Sequence, residues 1–249
     1  MHHSSIFFVP TPTGNPDATA KTLATLTESL TSHPAAYPQD TPLTLHYRLL
    51  RSTPTDPPKP PETLPQHHLL SLSSISPEKT FCHVQKPTSE SNNTSPTIIA
   101  IPVSSLDSHA SFLTGPMGAL WTPGHSIKAT GETYILGETT IQLAALTQQR
   151  GDASHGAQTL SPGVVVCIGM QNEDVDPEDI IGDEASMKRE LADGGKAQIR
   201  ALWDQFFSEC AGVNKNEVKE VNIGIEGMSE KTTRNALIKM WCEVLKLRG

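Results

Sequence analysis

Apolar positions recur along this chain with two periods, and the switches between them mark its elements. Ser5 to Val9 is a short apolar run closed by Pro10 and reads as a strand. Asn15 then stands where a helix cap belongs, with Pro16 at the first helical position and Asp17 at the positive end of the dipole. Ala20, Leu23, Leu26 and Leu30 follow at helical spacing until His33-Pro34 ends the run. One apolar stripe predicts a helix lying on a sheet. Leu43, Leu45, Tyr47 and Leu49 alternate with Thr44, His46 and Arg48, the pattern of a half-buried strand. His67 to Ser73 and Thr80 to Gln85 are the next strands, and the near-continuous run Thr97 to Ile101 predicts a strand buried on both faces.

Ser104 to Phe112 reads as a short helix stopped by Gly115-Pro116. Strands at Ser126 to Thr130, Glu132 to Leu136 and Thr139 to Thr147 are separated by Gly131 and Gly137, and Gly163 to Met170 is a further strand. Evenly spaced strands with glycine punctuation predict a meander that curls strongly or closes into a barrel. Gly194-Gly195 divides a frayed stretch from a helix carrying Ile199, Leu202, Trp203, Phe206 and Cys210 on one face. Val218 to Ile225 adds a strand, and a last helix from Glu230 to Leu247 aligns Leu237, Met240, Trp241, Val244 and Leu245. The fold class is therefore α+β: an antiparallel β-barrel or strongly curved meander sheet flanked by helices, as one domain over residues 1–249.

Composition changes this picture mainly between the elements. The 20 prolines crowd toward the N-terminal portion, where each removes a backbone donor and shortens what can precede it. Ser52 to Gln66 is proline-rich with little to bury, so an extended, disordered loop is expected. Lys86 to Ser95 reads as another polar loop. An acidic linker, about residues 172–185, holds a run of carboxylates from Glu173 to Glu184 with no basic residue and reads as a solvated connector.

The net charge of −8 excludes a dedicated nucleic-acid binder, which needs a basic stripe to neutralise phosphates. Cys82, Cys167, Cys210 and Cys242 show no paired CxxC spacing, so structural zinc is not expected and the thiols read as core residues in a reducing compartment. No apolar run approaches the ~18 residues of a spanning helix, and a soluble intracellular chain is expected.

Candidate chemistry is sparse. None of the ten histidines sits in an HExxH frame. His67 and His68 point to opposite faces of a strand and so cannot reach one ion together, and His2-His3 read as a disordered terminus. There is no GxSxG elbow and no phosphate-binding glycine loop. A phosphohydrolase built inside a barrel would need facing carboxylates and basic groups. Glu220 has no acidic partner two residues on, and Gly163 to Met170 is uncharged. With aromatic residues at 5%, no ligand cage stands out for a small-ligand-binding barrel. The residues thus nominate no catalytic position, no cofactor and no metal ligand, and they leave the partner-binding surface unknown. Both aromatic-bearing late helices read as core.

Several segments, taken in order, resemble subunit 20 of the Mediator complex in its fungal form. They are Ile6-Phe7-Phe8-Val9-Pro10 before a helix, Gly131-Glu132-Thr133-Tyr134 at a strand pair, and Pro162-Gly163-Val164-Val165-Val166. Leu202-Trp203-Asp204-Gln205-Phe206-Phe207 then lies in the penultimate helix, and a final helix follows a short strand. The loop from Ser52 to Gln66 and the acidic linker depart from the shorter animal-type pattern. The resemblance implies a non-enzymatic subunit of the Mediator head module, located in the nucleus and supporting RNA polymerase II transcription. Its implied partners are Mediator subunit 18 and the C-terminal part of subunit 8, with no cofactor and no direct nucleic-acid contact.

Overall fold

The first strand is longer than its apolar run, because the polar residues before Ile6 are also paired. In the computed structural model, which describes residues 2–12, 15–53, 64–85, 97–150, 158–171, 184–225 and 230–246, β1 spans His2–Pro10 and α1 spans Pro16–Thr31. The short strand β2 (Ala36–Pro38) leads to β3 (Leu43–Ser52), β4 (Gln66–Leu72), β5 (Lys79–Gln85) and β6 (Ile98–Pro102). Helix α2 (Leu106–Thr114) precedes β7 (Trp121–Leu136), β8 (Thr139–Arg150) and β9 (Gln158–Gln171). The chain continues through α3 (Glu184–Phe206), β10 (Lys219–Ile225) and α4 (Glu230–Leu245).

The fold is α+β, with a 10-stranded antiparallel sheet ordered β10-β1-β9-β8-β7-β3-β4-β5-β6 and β2 paired to β7. The expected barrel is corrected here. The strand path ends at β10 and β6, and the sheet is neither closed by hydrogen bonds nor strongly curled. Closure depends on whether the two end strands meet, which the period of a strand does not encode.

Two compact units are distinguished: residues 1–43, 130–146 and 161–244 in the first, and 44–129, 147–160 and 245–249 in the second. In the first, β1 lies between β10 and β9, with Ile6 opposite both Val221 and Cys167. Its core joins Phe7, Val9, Leu26, Leu30, Val164, Val166, Ile199, Trp203 and Phe206, so the stripes of α1 and α3 share one apolar layer with the sheet. Asn15 caps α1 as its position predicts, its side chain accepting from the Ala18 N–H at 3.1 Å. Ser29 Oγ donates to the Phe206 carbonyl at 2.5 Å, fixing α1 against the end of α3.

Two glycine signals mean something other than a break. Helix α3 runs through Gly194-Gly195 without interruption. Gly195 is small because the His3 ring lies over it, where an added Cβ would sit 2.5 Å from His3 Cγ. His3 is itself buried within β1, so the expected disordered terminus is corrected. Likewise β7 is continuous through Gly131, where a Cβ would meet the Leu143 carbonyl oxygen at 2.0 Å. Gly137 is a turn residue, with φ of +59° between the end of β7 and the start of β8.

In the second unit β3, β4, β5 and β6 form a meander. Leu106, Ala110 and Leu113 of α2, spaced at i, i+4 and i+7, pack with Leu50, Leu69 and Cys82. The alternation of β3 holds to Leu49 and then lapses at Leu50, which is buried beneath α2 on the other face. Strand β6 is not buried on both faces as its run predicts: it is an edge strand, and Ile99 is 52% exposed. Most of the expected proline-rich loop (54–63), the polar loop (86–95) and most of the acidic linker (172–183) lie outside the described residues, while Glu184 and Ala185 belong to α3.

Candidate functional site

The charged side chains of the strands bear directly on phosphate chemistry. Across the ten strands the carboxylates are Glu132 on β7 and Glu220 on β10. Glu132 accepts a hydrogen bond from the Tyr134 hydroxyl, whose pKa is pushed up to about 12 by burial and by that carboxylate. Glu220 is held by Arg200 of α3, whose Nε and Nη2 donate to Oε2 at 2.9 and 2.7 Å. Asn222, two residues on from Glu220, donates to its other oxygen at 3.2 Å. Each strand carboxylate is thus engaged within the first unit.

The second unit concentrates histidines on both faces of its meander. His67 and His68 do point to opposite faces, yet each finds company there. On one face the Tyr47 hydroxyl and His68 Nδ1 are 2.8 Å apart. His68 stacks on His83, and Tyr47 also lies beside His125. His125 Nε2 approaches the Leu245 carbonyl at 3.0 Å, so it carries the proton and donates. Burial, then His83, lowers the His68 pKa to about 3.

On the other face, His67 of β4, Cys82 of β5 and His109 of α2 bring their ligating atoms within 4.8 Å of one another. The pairing explains it: Leu69 lies opposite Cys82, which makes His67 and Cys82 diagonal neighbours on the face that α2 covers. His67 is 7% exposed and Cys82 2%. The His67 ring sits edge-on to both Trp121 and His109. Neither ring nitrogen of His67 has a hydrogen-bond partner among the described residues, and the same holds for Nε2 of His109. Burial, then His109 and His83, brings the His67 pKa down to about 4, and burial pushes the Cys82 thiol up to about 11. Sequence reasoning missed this trio because no two of its members are close in the chain. The signal that could have found it is the β4–β5 register.

Exposed large apolar side chains also gather in the second unit. Val84 on β5, Ile99 on β6, Val103 just after β6, Phe112 on α2 and Leu120 before β7 are 37–53% exposed. Ile99 lies opposite Cys82, on the face that α2 covers. Among the described residues no helix is long and apolar enough to cross a membrane.

No protein-family model matches the chain, and no curated protein does. Among solved structures it is similar to a conserved hypothetical protein from Pyrococcus furiosus, at 11% identity over 88% of this chain and 95% of that one, with a TM-score of 0.41. It is similar to a chain of the Schizosaccharomyces pombe Mediator head module, at 11% identity over 90% and 100%, TM-score 0.38. The Hippeastrum protein HpAC1, described as having a dominant triphosphatase activity, aligns at 7% identity over 94% and 95%, TM-score 0.39. Similarities of this size assign neither an activity nor a partner to this chain.

Proposed function

We propose that this chain is a non-enzymatic interaction subunit of the kind its sequence segments resemble, a nuclear component of the Mediator head module that pairs with subunit 18 and is tethered through subunit 8. The observation that carries the interaction reading is strand β6. It ends the sheet, pairs β5 alone among the described strands, and reads Ile98-Ile99-Ala100-Ile101-Pro102 without a charge. Natural sheets blunt such edges with charged residues, as β10 at the opposite end does with Lys219 and Glu220. An uncharged edge that carries exposed Ile99, with exposed Val103 directly after it, suits a partner that adds a strand, with backbone hydrogen bonds giving affinity and apolar side chains giving register.

The resemblance supplies the partner's identity. Its segments are also physically coherent: Phe7, Val9, Tyr134, Val164, Val166, Trp203 and Phe206 belong to one core. A phosphohydrolase is the weaker reading, because the strands offer Glu132 and Glu220 as carboxylates and both are committed to neighbours.

Co-expression with subunit 18 and the C-terminal segment of subunit 8, followed by size-exclusion chromatography in high salt, tests the proposal. A stoichiometric complex is expected. A chain that elutes alone with both partners present overturns it, and metal-dependent phosphate release from a generic triphosphate would favour the enzyme instead.

A further inference from the structure

A buried imidazole with no hydrogen bond at either nitrogen needs an explanation. Neutral His67 must carry one N–H, which finds no acceptor among the described residues, while its other nitrogen holds a lone pair that meets no donor among them. Leaving such groups unmade in a protein interior is costly, and an ion is one of the few things that relieves it. Aromatic packing against Trp121 accounts for the ring's position but satisfies neither nitrogen. Cys82 and His109 offer ligand atoms within 4.8 Å of this ring, and His109 Nε2 is likewise buried with no partner among the described residues.

We propose that His67, Cys82 and His109 form a binding site for a borderline-soft divalent transition metal, zinc first, which ties α2 to strands β4 and β5. Imidazole and thiolate are both ligand types that zinc takes, and zinc sites with three protein ligands leave a fourth tetrahedral position to water or to another ligand. Tetrahedral zinc with these donors holds them about 3.5 Å apart, so a spread within 4.8 Å closes by a modest movement of α2 or of the His109 side chain. On binding, Cys82 Sγ gives up its proton to solvent and forms the metal–sulfur bond, and each imidazole donates a lone pair without changing its proton count. One proton is released per ion.

Cobalt(II) titration of the full chain, freed of metal by chelation, tests the site. Saturation at one equivalent is expected, with intense ligand-field bands of a tetrahedral ion and a thiolate-to-cobalt charge-transfer band in the near ultraviolet. Cys82→Ser should abolish the charge-transfer band, His109→Ala should weaken binding at least tenfold, and Cys210→Ser should leave both unchanged. Zinc should displace the cobalt and raise the melting temperature. Half-buried His109 sits on a helix surface, so its variant is expected to fold even if the Cys82 change is not tolerated. X-ray absorption of the zinc-loaded wild type, showing one sulfur and two imidazole nitrogens, gives a readout without any substitution. The proposal fails if no cobalt binds at equimolar concentration. It fails equally if the charge-transfer band survives in a folded Cys82→Ser protein, if His109→Ala binds as wild type does, or if the absorption spectrum shows no sulfur.

Discussion

The Phe7 ring lies flat on the Trp203 indole, with centroids 4.2 Å apart and planes 11° from parallel. This contact joins β1, the strand beside the β10 edge, to α3, the longest helix. Phe7→Ala and Trp203→Ala should each destabilise the chain by about 3–5 kcal/mol, measured by urea denaturation. The double variant should lose less than the sum, by about 0.5–1.5 kcal/mol, the part belonging to the stacked pair itself. Strict additivity would mean that the rings do not interact.

Adjacent glycines in α3 should respond in opposite directions. Gly194→Ala meets nothing within 4 Å and replaces a flexible residue in a helix, so it should stabilise by about 0.5–1 kcal/mol. Gly195→Ala drives a methyl group into the His3 ring and should lower the melting temperature. The pair of thermal melts distinguishes a packed His3 from a loose one, since equal gains would show that the ring is not held there.

Buried neutral histidines make stability depend on acid. The folded pKa values of His67 and His68, about 4 and about 3, lie below the ordinary imidazole value of 6.5. In the interval between, the unfolded chain binds protons that the folded chain refuses. Stability is therefore complete above about pH 6.5 and falls as the pH drops toward 4 and then 3. Each group adds a slope of up to about 1.4 kcal/mol per pH unit. Denaturation at pH 7 and pH 5 should show the loss, and His68→Gln should flatten the slope. A profile level from pH 7 to pH 4 would contradict the burial of both rings.

Trp241 is 2% exposed on α4, as its place on an apolar helix face predicts. Trp241→Ala should cost about 3–5 kcal/mol. An unchanged melt would mean that this face awaits a partner.

At the β6 edge the expected pattern is reversed. Ile99 and Val103 are 52% and 40% exposed, so Ile99→Lys and Val103→Ser should change stability by less than about 0.5 kcal/mol. In the co-expression assay the same variants should lose the partner. Retention of the complex by both would move the interface elsewhere on the chain.

What could be read from the sequence was what is decided locally. The start of α1 was legible because Asn15, Pro16 and Asp17 act on their own turn. The apolar faces of α3 and α4 were legible because helical spacing brings their residues together wherever the helix lies. The position of β6 was not, since an apolar run reads the same at an edge as in the middle, and the missing neighbour is a property of the sheet. Gly131 and Gly194-Gly195 misled for a related reason: a glycine that permits close approach and one that breaks an element look alike until the approaching atom is known. The His67, Cys82 and His109 cluster needed both the β4–β5 register and the docking of α2. Neither follows from spacing.

The placement of β1 has a consequence for biosynthesis. Its two neighbours, β9 and β10, lie far along the chain, so the strand leaves the ribosome long before either partner exists. Loop closure over that span must precede any gain from pairing, which predicts slow folding. Until then Ile6, Phe7, Phe8 and Val9 form an unpaired apolar segment of the sort that aggregates or recruits a chaperone. Ribosome-bound nascent chains ending just before β10 should therefore remain protease-sensitive at β1, and become resistant only when the last strand has emerged.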